Sequence, residues 1–92
     1  MNPVRPFYYV YVLQNKDGMF YTGCTKDLKK RYQEHLDKKS TYTRTRGPYK
    51  LIYYEACLHK DDAYRRERYL KTGMGKRYLR NRMKSFTRGL TG

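Results

Sequence analysis

The high tyrosine content of this chain determines whether it can form a folded domain. Only 15 of the 92 residues are Leu, Ile, Val or Phe, and 22 Lys and Arg against 8 Asp and Glu give a net charge of +14. Chains this charged and this poor in aliphatic side chains are typically disordered. Twelve tyrosines change that expectation, because each can bury its ring while the hydroxyl keeps a polar partner. We therefore expect one small domain with a partly aromatic core.

The positive charge is concentrated near the C-terminus. Residues 63–92 contain ten Lys or Arg and a single acid, Glu67. Like charges at helical spacing repel one another, and a phosphate backbone would relieve that repulsion. Nucleic acid is therefore the favoured partner, with a solubilising surface as the alternative. A membrane surface is disfavoured, because charges interrupt the apolar face of residues 63–83, which has no Trp or Phe anchor.

The sequence also indicates where the protein acts. No apolar run approaches the roughly 20 residues of a membrane span, and the first residues lack the pattern of a signal peptide. Cys24 and Cys57 have neither metal-ligand nor redox spacing, so we expect reduced thiols. These features predict a cytoplasmic protein without a membrane partner.

The N-terminal part predicts a β-hairpin. Residues 7–14 are β-branched and aromatic, the sequence NKDG supplies a turn, and MFYTGCT gives the second strand. If odd positions pair with odd positions, Tyr11 and Tyr21 project from the same face of the hairpin.

A helix is predicted over residues 28–38, with Asp27 as its N-cap. Leu28, Tyr32 and Leu36 form its buried stripe. Arg31 and His35 lie at the edge of that stripe, one turn apart, so their side chains can act on one point.

The remaining segments alternate between loops and regular elements. Residues 39–49 predict a basic loop, 50–58 a third strand, 62–71 a helix capped by Asp61 or Asp62, and 75–84 a last short helix. Residues 85–92 predict a basic, frayed tail. The resulting order is β-β-α-β-α-α, with the helices packed on the sheet.

Glu67 is the unusual residue of the second helix. It shares a stripe with Ala63 and Leu70, which points it towards the core. Burying a carboxylate costs on the order of several kcal/mol unless a cation or a hydrogen-bond donor contacts it. One interpretation is a surface ion pair with Lys71, Arg68 or Arg66. The other is a ligand for Mg²⁺, which often takes only one or two carboxylates besides water and phosphate.

Four motifs together resemble the GIY-YIG nuclease superfamily. Tyr9-Val10-Tyr11 and Tyr21-Thr22-Gly23, which are separated by nine residues, resemble its paired strand motifs. Tyr9 stands in place of the first Gly and Thr22 in place of Ile. Residues 28–35 are similar to its first helix, and residues 64–68 to the helix with its metal-binding Glu. The resemblance covers residues 7–84 and is greatest to a short stand-alone branch related to the nuclease domain of an excinuclease.

The resemblance implies an α+β fold with a small three-stranded antiparallel sheet flanked by helices. It also implies one site made of Tyr11, Tyr21, Arg31, His35 and Glu67. One of the two tyrosines acts as general base, Arg31 stabilises phosphate charge, His35 assists, and Glu67 holds one Mg²⁺ or Mn²⁺ ion. Arg31 and the metal are expected to favour the phenolate form of the base. The Asn found late in several branches of the family has no secure match in this sequence; Asn81 lies nearby and is not assigned a catalytic role.

Two functions follow from these residues. The favoured one is a metal-dependent endonuclease acting on DNA, with structured or branched DNA, repair or recombination as its context. The alternative is a catalytically inactive, basic nucleic-acid-binding module. RNA as substrate, an accessory targeting protein and the oligomeric state stay open. Under either function, the side chains expected to contact phosphates are Lys29, Lys30, Arg44, Arg46, Arg65, Arg66 and Arg68.

Overall fold

A computed structural model describes residues 6–37 and 48–91 of the protein. Within them, no helix is long and apolar enough to cross a membrane. The α+β class and the order of the first six elements are confirmed. The elements are β1 (Tyr8–Asn15), β2 (Phe20–Thr25), α1 (Leu28–Leu36), β3 (Tyr49–Cys57), α2 (Lys60–Leu70), α3 (Gly73–Arg82) and α4 (Lys84–Thr91).

The hairpin turn is held by Asn15, whose Oδ1 accepts hydrogen bonds from the backbone N–H groups of Asp17 and Met19, both at 2.9 Å. Gly18 adopts a φ of 85°, a conformation that disfavours residues with a Cβ. This turn sets the register of the antiparallel strands, in which Tyr11 faces Gly23 and Leu13 faces Tyr21. Tyr11 and Tyr21 therefore project from the same face, as predicted.

Strand β1 lies at the centre of the sheet, in the order β2-β1-β3, and both of its faces are covered. Its odd-numbered residues Tyr11 and Leu13 pack with Leu28 and Tyr32 of α1. Its even-numbered residues meet α2 and α3 on the opposite face, in a cluster that contains Val10, Val12, Ala63, Leu70 and Leu79. Each fully buried aliphatic side chain contributes about 1.5–3 kcal/mol, so even this small core is a substantial source of stability.

The helix boundaries follow local capping. Asp27 caps α1 as predicted, since its Oδ1 accepts from the backbone N–H of Lys30 at 3.1 Å. The predicted cap of α2 is wrong: His59 takes that position, and its Nδ1 accepts from the N–H of Asp61 at 3.1 Å. Asp61 and Asp62 instead fall in the first turn, where a carboxylate is favoured by the helix dipole.

Arg66 has a structural role in the fold, and its contact with phosphate stays a prediction. Its Nε and Nη2 donate to the two carboxylate oxygens of Glu55 on β3, at 2.8 and 2.9 Å. Its guanidinium also lies 4.6 Å from the ring centroid of Tyr78 on α3. Burial tends to raise the pKa of Glu55, but the bonds from Arg66 outweigh it and lower that pKa. Arg66 thus joins α2 to the sheet.

The end of the chain also differs from the prediction. Where a frayed tail was expected, the structure has helix α4. Its Phe86 packs against the α2–α3 core, and the hydroxyl of Thr87 donates to the carbonyl of Met83 at 3.1 Å. A single aromatic contact at the end of a basic segment is hard to detect from sequence.

Two glycines of α3 provide a matched test of the packing between α2 and α3. A Cβ at Gly75 would overlap the backbone of Tyr69 and Leu70, whereas a Cβ at Gly73 would meet nothing within 4 Å. We expect Gly75→Ala to lower the free energy of unfolding by about 1–3 kcal/mol, as overpacking does. Gly73→Ala should leave it unchanged or raise it by up to about 1 kcal/mol. Urea unfolding followed by circular dichroism measures both, and equal effects would contradict the packing described here.

Candidate active site

Tyr11 is the centre of the site. Its side chain leaves the central strand on the α1 face, and the residue is only 1% exposed. Its ring crosses the neighbouring strand directly over Gly23, where any Cβ would overlap the phenol. A glycine inside a strand commonly marks such a close approach. Gly23 therefore fixes where the phenol oxygen of Tyr11 lies.

Helix α1 brings two further side chains to that oxygen. The Oη of Tyr11 lies 3.0 Å from Nε2 of His35, and Nε of Arg31 donates to it at 3.3 Å. Because Arg31 and His35 are one helical turn apart, both reach the same atom, as their spacing predicted. The phenol thus contacts a permanent cation and a titratable base together.

Arg31 lowers the pKa of Tyr11, in the direction expected for the base, but burial outweighs it in the protein alone. Burial raises the pKa of Tyr11 to about 12, and the hydrogen bond from Arg31 only partly opposes it. The charges of Tyr21 and Glu67 raise that pKa further. Moving a phenolate out of water costs more free energy than one long hydrogen bond restores, so burial favours the neutral phenol. Tyr11 is therefore a neutral phenol near pH 7.

Arg31 is held in place from two sides. Besides its bond to Tyr11, its Nη1 donates to Oε1 of Glu34 at 3.0 Å. Burial works against its charge, but these two hydrogen bonds outweigh burial and raise its pKa. A guanidinium has five N–H donors, and these bonds use two of them. Arg31 is thus an oriented cation with donors suited to phosphate oxygens.

His35 is buried against both tyrosines. Its ring centroid lies 5.8 Å from that of Tyr11 and 5.3 Å from that of Tyr21, both edge to face. Burial, followed by the charge of Arg31, lowers its pKa, while Glu34 opposes this shift. The imidazole is therefore neutral at pH 7, and its Nε2 can accept the proton of Tyr11 in one of its two tautomers.

Glu67 approaches the site from α2. Its side chain is 19% exposed, and its Oε2 lies 3.0 Å from Nζ of Lys71, so the predicted ion pair with Lys71 is present. Its charge acts on two groups of the hairpin. After burial, Glu67 is the largest cause of the raised pKa of Cys24, and it also raises that of Tyr11. The carboxylate is therefore within electrostatic reach of the phenol, despite lying on a helix that packs on the other face of the sheet.

The available ligands fit an open site for a hard divalent cation rather than a closed structural metal site. Residues 6–37 and 48–91 contain no group of three or more His, Cys, Asp or Glu side chains arranged to hold a metal. Zinc in structural sites takes four N or S ligands, whereas Mg²⁺ keeps several waters and accepts one carboxylate plus substrate phosphate. Glu67 could supply that one carboxylate while Lys71 retains contact with the other oxygen.

An open cavity of about 410 Å³ is lined by Tyr21 and by Lys71, the ion-pair partner of Glu67. Phe20 and Thr22 of β2 and Lys76 of α3 complete its wall. Tyr21 is half-buried and lines this cavity, whereas Tyr11 is enclosed. The two lysines that line it, Lys71 and Lys76, could bind the phosphates of a nucleic-acid strand.

The other predicted phosphate contacts have different surroundings. Lys29 and Lys30 are exposed in the first turn of α1. Arg65 is exposed and paired with Asp62, and Arg68 is exposed. Arg44 and Arg46 lie outside the described residues.

Three supporting residues were not singled out from the sequence. Glu34 orients Arg31, and its i, i+3 spacing was the available signal. Gly23 accommodates the Tyr11 ring, which a glycine inside a strand can indicate. Tyr49 packs on Tyr21, with ring centroids 6.3 Å apart, and no local signal predicts that long-range contact.

Comparison with known proteins matches this architecture. The family model of the GIY-YIG catalytic domain matches residues 7–84. A UPF0213 protein of Desulfotalea psychrophila is 41% identical over 69 residues, which cover 73% of this chain and 63% of that protein. A UPF0213 protein of Clostridium perfringens is 47% identical over 64 residues, 68% of this chain and 69% of that protein. The chain thus spans less than two thirds of the Desulfotalea relative.

A solved structure is also similar. The solution NMR structure of a UPF0213 protein from Bacillus halodurans shares 39% sequence identity, with a TM-score of 0.51. The similarity covers 79% of this chain and 81% of that one.

The contact between Gly23 and Tyr11 can be tested by a double-mutant cycle. Gly23→Ala should displace the phenol and lower the free energy of unfolding by about 1–3 kcal/mol, the usual range for overpacking. In a Tyr11→Leu background the same substitution should cost much less, because no ring crosses the strand. Chemical denaturation of the four proteins gives the coupling energy. Additive effects would show that Tyr11 does not depend on Gly23.

Proposed function

Because the chain belongs to the GIY-YIG catalytic domain family, which is a family of nucleases, we propose that it is a divalent-metal-dependent endonuclease that hydrolyses phosphodiester bonds in DNA. The nuclease unit is residues 7–84. The observation that carries the proposal is the convergence on one phenol oxygen of a cation, Arg31, and a neutral base, His35. A buried structural tyrosine needs one hydrogen-bond partner for its hydroxyl, not a cation and a base together.

The proton path follows from the protonation states. Tyr11 begins as a phenol and His35 as a neutral imidazole, with 3.0 Å between Oη and Nε2. In the proposed step, substrate binding brings the attacking water to the enclosed phenol oxygen from the side of Tyr21, and Tyr11 passes its proton to His35 while accepting one from that water. The phenol is never a free phenolate, so its raised pKa is no obstacle. Tyr21 lines the open cavity and positions the substrate.

Charge stabilisation is the role of Arg31 and Glu67. Arg31 keeps its charge and is oriented by Glu34, so its remaining donors can bind the non-bridging oxygens of the phosphate as negative charge develops. Glu67 would hold one Mg²⁺ or Mn²⁺ ion. When bound, such an ion neutralises phosphate charge and assists the leaving oxygen.

DNA is the proposed substrate, and RNA is an outcome to be tested. The net charge of +14 provides general attraction to phosphate, and Lys71 and Lys76 line the cavity beside Tyr21. Structured or branched DNA, and with it repair or recombination in the cytoplasm, is the proposed context. An accessory protein that directs the small domain to its target belongs to the same proposal.

The nuclease assignment predicts that Glu67→Gln and Arg31→Ala each lower cleavage by about 100-fold or more, a range typical of lost charge stabilisation. Asp61→Asn, which neutralises an exposed carboxylate of the same helix, is the matched control and should cut normally. Purified protein is incubated with plain, flapped and branched DNA and with RNA, with Mg²⁺, with Mn²⁺ or with chelator. Cleavage is measured by gel.

Two results would overturn the assignment. Full activity in Glu67→Gln and Arg31→Ala would place the chemistry elsewhere. Binding without any cleavage by the unsubstituted protein would instead support the inactive binding module.

The proton path predicts the pH dependence. Activity requires neutral His35, so it should fall as the pH drops through the pKa of His35, which burial and Arg31 hold below its usual value of about 6.5. His35→Gln cannot titrate and should retain weak activity without this acid limb. Cleavage rates from pH 4.5 to 8 at saturating metal test this. An unchanged limb in His35→Gln would assign it to another group.

A further inference from the structure

A second open cavity, of about 510 Å³, lies on the other flank of α1. Lys29 and Arg31 differ by about 200° around the helix, so they leave it on opposite sides. Arg31 reaches the phenol of Tyr11, whereas Lys29 lines this separate cavity. The floor and walls are mainly aromatic and aliphatic, and they are formed by Tyr9, Leu28, Tyr32, Leu51 and Tyr54.

One aromatic side chain of this cavity, that of Tyr54, is more exposed than core packing explains. Tyr54 lies on β3 at the edge of the sheet and is 54% exposed. Its ring meets that of Tyr9 edge to face, with centroids 5.9 Å apart. The ring of Phe7 extends the row, 6.5 Å from that of Tyr9. Together the half-buried Phe7 and Tyr9 and the exposed Tyr54 form an aromatic row beside the cavity.

The charges around the cavity are suited to an anion. Lys26 and Lys29 are both exposed and both line it, and Nζ of Lys26 also lies 5.6 Å from the ring centroid of Tyr8, which packs on the other face of the sheet. Asp27 also lines it, but its carboxylate accepts the N–H of Lys30 as the cap of α1. Aromatic rings interleaved with lysines are the combination by which proteins bind single-stranded nucleic acid, with bases on the rings and phosphates on the cations.

We propose that this cavity binds one unpaired nucleobase of the substrate, stacked on Tyr54, with Lys26 and Lys29 holding the adjoining phosphates. The proposal rests on the proposed nuclease function and narrows its substrate to strands that carry unpaired nucleotides beside the cleaved bond. A base within an intact duplex is already stacked and paired, so it must be extruded before it can enter. The cavity therefore selects flaps, branch points and single strands over plain duplex.

Binding measurements test the cavity directly. A labelled 15-nucleotide thymidine oligomer is titrated with the full chain, and its fluorescence anisotropy gives the dissociation constant. Tyr54→Ala should weaken binding by about 5-fold to 100-fold, the effect of losing one stacked base. Tyr54→Trp should bind at least as well as the unsubstituted chain. The matched control is Tyr64→Ala, which removes a tyrosine of similar exposure, 43%, from α2.

The Tyr54→Trp variant also reports on the contact. The chain contains no other tryptophan, so stacking should quench the emission of this variant as oligomer is added. Tyr64→Trp should show little quenching. Thermal unfolding of each variant verifies that it is folded.

Cleavage measurements separate this proposal from the nuclease assignment. We expect Tyr54→Ala to lose the preference for flapped over fully paired DNA while still cutting. If the unsubstituted protein cuts neither substrate, the nuclease assignment is wrong. The oligonucleotide affinities then still test whether the cavity binds an unpaired base. If Tyr54→Ala binds the oligomer as tightly as Tyr64→Ala does, the cavity proposal is wrong. If Tyr54→Ala changes the oligomeric state of the protein but not its affinity for the oligonucleotide, the surface is a self-association surface, and the cavity proposal is equally wrong.

Discussion

The phenol of Tyr11 occupies the space that a side chain at Gly23 would fill, and the rest of the site is arranged around that contact. It carries a side chain from the central strand across the edge strand, so that Arg31 and His35 reach its oxygen from α1. It also brings the phenol within the electrostatic influence of Glu67, which belongs to a helix on the opposite face. A three-stranded sheet is narrow enough for charged groups on its two faces to influence one another.

Burial, more than any single ion pair, sets the chemistry of this site. It holds Tyr11 protonated against the hydrogen bond from Arg31, and it holds His35 neutral beside the same cation. The two shifts are complementary, because a proton donor and a proton acceptor face each other at 3.0 Å. Exposed side chains at the same positions would have their ordinary pKa values and a weaker coupling. The enclosure of Tyr11 is thus part of the proposed proton path.

Local rules predicted the elements, and long-range contacts account for what they missed. Asp27 caps α1 and the turn at Asn15 sets the hairpin, because both depend on neighbouring residues. The place of Arg66 was not predictable, since its partner Glu55 lies eleven residues away on a strand. The raised pKa of Tyr11 was missed for a related reason. Proximity to Arg31 could be inferred from sequence, but the opposing effect of burial requires the folded structure.

The scarcity of aliphatic residues links folding to recognition in this chain. A core built partly from tyrosine must leave some rings at its margins, because a small sheet has much edge relative to its interior. Tyr11 lies inside and meets a base, whereas Tyr54 lies at the β3 edge and stays more than half exposed. Helix α1 separates the two environments, with Arg31 on one flank and Lys29 on the other. A composition that first indicated marginal stability therefore also provides the surfaces on which a nucleic acid can stack.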